Sequence, residues 1–357
     1  MRFKLALLVV ALLAVAGCGT SAASPDITSV TAQLSPGPSL AARTGADVWV
    51  VGSPLLVVAS TDGGAAWRIA NRDSTGDPVI SMFLDVAFAD PQHGWGVGKE
   101  GVILASADGG ATWTTQRGGA KEHLSAVAAT DARHAWAAGM AADAQTPVIL
   151  ATEDGGKHWR RQRPAGDGEV ASIAFSDARH GWAVTGTGII ATTDGGTHWR
   201  MQYPTSELFL KDVAFADARH GWVVGGAMRR GGDVEPGFIL ATTDGGAHWD
   251  MQHSGSHDGL TSITALDARH AWAVGNGSAV FRTGDGGSTW SGSTFAPKMP
   301  LQSVAFSDPQ HGWIVAMHYA LMATTDGGST WSVATNVKSV NAGAFVFFNA
   351  VAARDAR

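Results

Sequence analysis

The sequence predicts an all-β protein, a seven-bladed β-propeller of four-stranded antiparallel blades, and three observations carry that reading. An eight-residue motif recurs seven times: STDGGAAW (60–67), SADGGATW (106–113), TEDGGKHW (152–159), TTDGGTHW (192–199), TTDGGAHW (242–249), TGDGGSTW (283–290) and TTDGGSTW (324–331). A second motif precedes it in each unit. DPQHGW ends at Trp95 and Trp313, DARHGW at Trp182 and Trp222, and DARHAW at Trp136 and Trp272, with a degenerate GADVW at Trp49. Together the two motifs use all 14 tryptophans. The spacing from Asp62 through Asp108, Asp154, Asp194, Asp244, Asp285 and Asp326 is 46, 46, 40, 50, 41 and 41 residues, the length of a four-stranded blade.

Within a unit the strands follow from alternation and turn residues. In the last complete unit, strand A is 301–306, strand B 313–316 and strand C 320–324, and strand D starts at Trp331. DPQH then makes the A–B turn and DGG the C–D turn. The eight-residue motif fits the Asp-box, S/T-x-D-x-G-x-T-W. Its aspartate accepts backbone N–H groups in a tight turn, its glycine takes a positive φ, and its tryptophan packs between sheets. The seven Asp-box aspartates are therefore structural, one per blade around a rim, where they do not converge on a common ligand. Ring closure needs one more strand. Residues 350–357, AVAARDAR, repeat 126–133, AVAATDAR, and stop there, so residues 344–357 are expected to supply the innermost strand of the first blade. The rival segment, 40–43, follows Pro36 and Pro38, which strands disfavour.

Composition removes other classes. The 46 glycines show no collagen period and so serve turns. A formal charge of −6 lacks the basic excess of a nucleic-acid binder. No second long apolar run follows the N-terminus, against a polytopic membrane protein. The single cysteine, Cys18, follows a leader with Arg2 and Lys4, an apolar stretch at 5–16 and the small residues Ala16 and Gly17. This resembles the lipobox of bacterial lipoproteins. The expected organisation is a signal peptide at 1–17, lipidated Cys18 with a Ser/Ala/Thr/Pro-rich tether over 18–37, and the propeller over 38–357. The protein would then work outside the cytoplasm, as a monomer lipid-anchored to a membrane.

Blade geometry also sorts the loops. A–B and C–D turns share one face, and B–C and D–A connections share the other. Tryptophan spacing places the extra residues at 73–78, 140–147 and 226–237, all on the second face. Variable loops on a rigid scaffold are where binding residues gather. The candidate partner-binding residues are Asp143 in the second of these loops and Arg229, Arg230, Asp233 and Glu235 in the third. Arg160, Arg161, Arg163 and Arg200 add a basic cluster across the third and fourth units.

The sequence offers little catalytic chemistry. Nine of the 13 histidines occupy repeat slots, and His253 with His257 lack further ligands, so no metal or cofactor is expected. A glycosidase is the alternative. Its carboxylates would come from Asp143, Asp167, Glu169, Asp233 and Glu235, and a sialidase-type pair would be Tyr203 with Glu207.

The repeat unit, LxSVAFxDxxHGWxVG…ILATTDGGxHW, resembles that of the photosystem II assembly/stability factor family, within the wider BNR/Asp-box group. The resemblance runs from about Trp49 to Trp331. It implies a propeller outside the cytoplasm, lipid-anchored in some cyanobacteria, that assists assembly of a reaction-centre protein without catalysis or cofactor. On that basis the protein is expected to be a scaffold or assembly factor binding a protein or polymer at the cell envelope.

Overall fold

The computed structural model describes residues 46–53, 56–71, 83–117, 121–227, 236–256, 259–295, 298–316, 320–334 and 347–355. Blade 1 holds β1 (Ala46–Ser53), β2 (Leu56–Ser60) and β3 (Arg68–Asn71), and blade 2 holds β4 (Phe83–Phe88), β5 (Gly94–Gly98), β6 (Ile103–Ser106) and β7 (Thr114–Arg117). Blade 3 is β8 (His123–Ala129), β9 (Ala135–Met140), β10 (Pro147–Thr152) and β11 (Arg160–Gln162). Blade 4 is β12 (Val170–Phe175), β13 (Gly181–Thr185), β14 (Gly188–Thr192) and β15 (Arg200–Pro204). Blade 5 is β16 (Leu208–Phe215), β17 (Gly221–Ala227), β18 (Gly237–Thr242) and β19 (Asp250–Ser256). Blade 6 is β20 (Leu260–Ala265), β21 (Ala271–Gly275), β22 (Ala279–Thr283) and β23 (Ser291–Thr294). Blade 7 is β24 (Leu301–Phe306), β25 (Gly312–Ala316), β26 (Ala320–Thr324) and β27 (Ser332–Val333), and the chain ends in β28 (Phe347–Asp355).

Each sheet is antiparallel, and the first has the order β28-β1-β2-β3. The last strand thus completes the first blade, pairing with β1 from Ala46↔Asp355 to Ser53↔Phe347. The expected clasp is present; the rival segment at 40–43 lies outside the described residues.

Among the described residues there is no central core. The buried side chains form seven clusters, each shared by two neighbouring blades, as when Trp95, Val97 and Ile103 meet Leu124, Val127 and Val148. Aromatic layers mark four of these junctions. Trp136 of blade 3 stacks on Phe175 of blade 4 at 3.6 Å, and Phe175 meets Trp199 edge-on at 5.9 Å. Stacked and edge-on geometries both suit the ring quadrupole. The residue before the strand-B tryptophan answers to that ring. At Gly181 an added Cβ would lie 2.3 Å from the Phe175 ring. Where strand A ends in Ala129 or Ala265 instead of Phe, the place is taken by Ala135 or Ala271.

The Asp-box turns are closed locally. Thr192 Oγ1 donates to Asp194 Oδ1 at 2.8 Å and accepts the Gly196 N–H at 2.9 Å, while Asp194 Oδ1 accepts the His198 N–H at 2.9 Å. Gly195 has φ +72 and its N–H donates to the A–B turn carbonyl of Arg179. Outer latches then link blade to blade. Gln116, Gln162, Gln202 and Gln252 each donate to the Asp-box glycine carbonyl of the next blade, at 2.7 to 3.0 Å.

Candidate functional site

Hydrogen bonds confirm the two-faced arrangement. The A–B and C–D turns bond to each other, as Gly155 N–H to Arg133 O does. At the opposite end, Gly101 N–H bonds Glu122 O, and Gly168 N–H bonds Gln145 O, joining a B–C turn to the next D–A loop. The insertion at 140–147 is therefore on the predicted loop face. The register Gly226↔Gly237 puts the base of the third insertion at the same end of blade 5. Arg229, Arg230, Asp233 and Glu235 lie outside the described residues, as do Cys18 and the insertion at 73–78.

Asp143 is exposed but engaged in its own loop. Its carboxylate accepts the Thr146 hydroxyl at 2.6 Å and the N–H groups of Gln145 and Thr146 at 2.9 and 2.8 Å. Those bonds, led by the hydroxyl and helped by Arg161, hold its pKa at about 2. It is an ionised turn brace, unsuited to general-acid work. Of the glycosidase alternatives, Tyr203 packs half-buried in the apolar cluster between blades 4 and 5. Asp167 is exposed. Glu169 faces half-buried His123 across 3.8 Å. Burial lowers the His123 pKa, with Glu169 opposing.

The basic cluster divides. Arg160 pairs with Glu153, whereas Arg161 and Arg117 both reach Glu122, at 3.0 and 2.5 Å. Arg163 and Arg200 are exposed.

Two features were absent from the sequence reading. Phe209, 42% exposed, stands on β16 opposite Gly226, at the foot of the third insertion, with exposed Lys211 two residues on. Large exposed aromatics are the usual anchors of protein interfaces. The other feature is an inner belt around the axis. A bulge in strand A frees one N–H in each of blades 2 to 7, for example between Phe83 and Asp85 and between Leu210 and Asp212. The preceding blade's side chains then bridge the junction. Asp85 accepts Val127 N–H at 2.8 Å, Asp212 accepts Ile263 N–H at 2.8 Å, and Ser303 accepts Val351 N–H at 3.3 Å. Ser125 Oγ donates to Val170 O, Thr261 Oγ1 to Leu301 O, and Ser172 Oγ to Asp212. Asn349 donates to Phe83 O, so every junction is bridged. Asp85 and Asp212 take a slot that is serine in blades 4, 6 and 7, and both are half-buried; the desolvation raises their pKa values, Asp85 to about 7. The LxSVAF comparison across repeats held that substitution; the bulge that gives it meaning did not show in sequence.

Fold and turns define an Asp-box propeller. The family model for the photosynthesis system II assembly factor YCF48 matches residues 73–165, 200–304 and 301–354, and the chain belongs to that family. Comparison with curated proteins gives no match. Among solved structures, the chain is similar to YCF48 bound to D1 peptide, at 22% identity over 74% of this chain and 84% of that one, TM-score 0.57. It is also similar to YCF48 from Cyanidioschyzon merolae, at 23% identity over 72% and 86%, TM-score 0.54. The WD40 repeats of RRP9 share the architecture at 11% identity, covering 76% and 83%, TM-score 0.52. At these identities the structural likeness establishes the fold.

Proposed function

We propose that this protein is a lipid-anchored extracytoplasmic assembly factor that holds a polypeptide partner on its loop face without catalysis. The family match carries the reading, and the peptide-bound YCF48 relative supports it. The loop face supplies what such docking needs: an exposed aromatic at Phe209, charged loops over blades 3 to 5, and a scaffold rigid enough to hold them. Asp143 shapes the third-blade loop, and Arg229, Arg230, Asp233 and Glu235 offer both signs of charge from the longest insertion.

The test is site-specific photo-crosslinking in the native envelope. A crosslinker at Phe209 or at Ala142 is expected to capture one defined protein, and the same probe at Ile69, on the outer edge of blade 1, is expected not to. Shortening 228–235, or Arg229→Ala with Arg230→Ala, should weaken or abolish capture without shifting the melting curve. Equal capture from Ile69, or turnover of fluorogenic glycosides lost on Glu169→Gln, would overturn the reading. The anchor is tested separately: Cys18→Ser is expected to abolish fatty-acid labelling and leave the leader uncleaved.

A further inference from the structure

The Asp-box face is chemically uneven. At the sixth position after the Asp-box Ser or Thr, blades 2, 6 and 7 carry Thr112, Thr289 and Thr330, whose hydroxyls bond the Asp-box carboxylate at 2.6 to 2.7 Å. Blades 3, 4 and 5 carry His158, His198 and His248 instead, whose Nδ1 atoms make the same bond at 2.6 to 2.7 Å. Threonine suffices for the turn, so the imidazoles add something the turn does not require. Their side chains are 83%, 73% and 84% exposed, and with Nδ1 held by carboxylate, Nε2 is left to solvent.

The same sector gathers fixed cations. The A–B turns of blades 3 to 6 present exposed Arg133, Arg179, Arg219 and Arg269, where blades 2 and 7 have Gln92 and Gln310. Each histidine sits among both signs of charge, on its own turn or on the A–B turn bonded to it. His158 has Glu153, Asp154, Lys157, Arg160 and Arg133; His198 has Asp194, Arg200 and Arg179; His248 has Asp244, Asp250 and Arg219. His134, His180, His220 and His270 pair with the A–B turn carboxylates Asp131, Asp177, Asp217 and Asp267. With the imidazoles neutral, carboxylates outnumber cations here; with them protonated, the balance reverses. The turn carboxylates stay ionised, since hydrogen bonds hold Asp154, Asp194 and Asp244 well below the usual range. The Asp244 carboxylate raises the pKa of His248.

The first strand also meets this face: β1 starts at Ala46, whose carbonyl accepts the Gly63 N–H of the first Asp-box at 3.0 Å. The N-terminal end of β1 thus lies on the Asp-box side, the end to which a lipid anchor at Cys18 would be joined.

We propose that the Asp-box face over blades 3 to 6 docks on an anionic lipid bilayer, more strongly as the pH falls, leaving the loop face turned away from the membrane for the protein partner. Tight turns make a broad face without long loops, which suits a bilayer better than a peptide groove. Cations near an anionic bilayer are attracted over roughly a Debye length, so salt should weaken the contact. Histidine is the side chain whose unperturbed titration spans this pH range. The orientation rests on the lipid-anchored reading; the charge of the face does not.

The experiment uses residues 19–357, which carry neither leader nor lipid, with vesicles of phosphatidylcholine, with or without phosphatidylglycerol. Cosedimentation with the anionic vesicles is expected at pH 5.5, about tenfold weaker at pH 7.5 and in high salt. The variant His158→Thr with His198→Thr and His248→Thr, using the residue other blades carry, should keep its melting temperature and clearly reduce the pH dependence, the four A–B turn histidines keeping the remainder. Residues 19–357 hold no cysteine, so Ala247→Cys or Ala142→Cys accepts a polarity-sensitive fluorophore on one face or the other. A blue shift on anionic vesicles is expected at 247 and not at 142. Full pH dependence in the triple variant, an equal or larger shift at 142, or binding to polyglutamate but not to vesicles would overturn the proposal. Fatty-acid labelling of native Cys18 is read independently, so failure of the anchor and failure of the docking face remain distinguishable.

Discussion

The axial belt and the Asp-box rim join the same seven blades, yet they treat carboxylates in opposite ways. On the rim, Asp285 is open to solvent and accepts the Thr289 N–H and hydroxyl, which hold its pKa at about 2. In the belt, Asp85 accepts two N–H groups as well, but burial outweighs them and pushes its pKa up to about 7, with Asp212 adding repulsion. Two similar hydrogen-bond sets thus give opposite shifts, because solvation decides the sign. The rim is made of identical local turns. The belt is made of different side chains, Asn349, Asp85, Ser125, Ser172, Asp212, Thr261 and Ser303 among them, meeting one geometric demand.

The largest test removes the belt's closing member while leaving every Asp-box intact. Deleting Phe347–Asp355 strips β1 of its inner partner and exposes Val48, Val50 and Val51. Loss of cooperative thermal unfolding, or a fall in Tm of more than about 10 °C, is expected. A circular dichroism melt superimposable on that of the full chain would show that the rim alone holds the ring.

Titration separates the regions next. For Asp85 the folded pKa exceeds the unfolded one, so its contribution is fully present below about pH 4. It is lost as pH climbs and is gone once pH passes about 7. Each pKa unit corresponds to about 1.4 kcal/mol, so the swing is on the order of a few kcal/mol. The rim carboxylates run the other way: their contribution is present above about pH 4 and lost as pH falls toward 2. Asp85→Ser, which installs the belt's own serine, should flatten the fall in Tm between about pH 4 and pH 7 and leave the loss below pH 4 unchanged.

Single truncations sharpen the contrast. Asp212→Ala leaves the Val213 and Ile263 N–H groups and the Ser172 hydroxyl without their acceptor inside the belt, at a cost of about 2–3 kcal/mol by denaturant melts. Asp326→Ala, on a half-exposed rim turn where water replaces the lost acceptor, should cost about 1 kcal/mol. Equal losses would mean that burial is not what distinguishes the two. Smallest is Gln162→Ala, which removes one latch to Gly195 O and the acceptor for Trp199 Nε1, about 1 kcal/mol or less.

Much of this was readable because it is local or repeated. The Asp-box bonds close within a few residues, so the motif alone names their partners. Blade length, the two faces and the closing strand follow from spacing and from the match of 350–357 to 126–133. A further regularity lay in the sequence unused: Gly precedes the strand-B tryptophan where strand A ends in Phe, and Ala where it ends in Ala. Only the contact between the Phe175 ring and Gly181 explains it. Asp143 was legible as a loop residue but not as a brace, since its partners Gln145 and Thr146 depend on how that loop turns.

The sequence by itself determined the number of blades, their strand order and the chemistry of each turn, because those depend on contacts between near neighbours and on a repeating length. Tertiary structure alone decided which residues meet across blades. It set Asp85 and Asp212 in a half-buried belt, placed Phe209 beside the longest insertion, and put the start of β1 on the Asp-box side. Those outcomes depend on burial and on bulges that align groups 42 and 51 residues apart, and no local pattern encodes the solvent that such a group will lose.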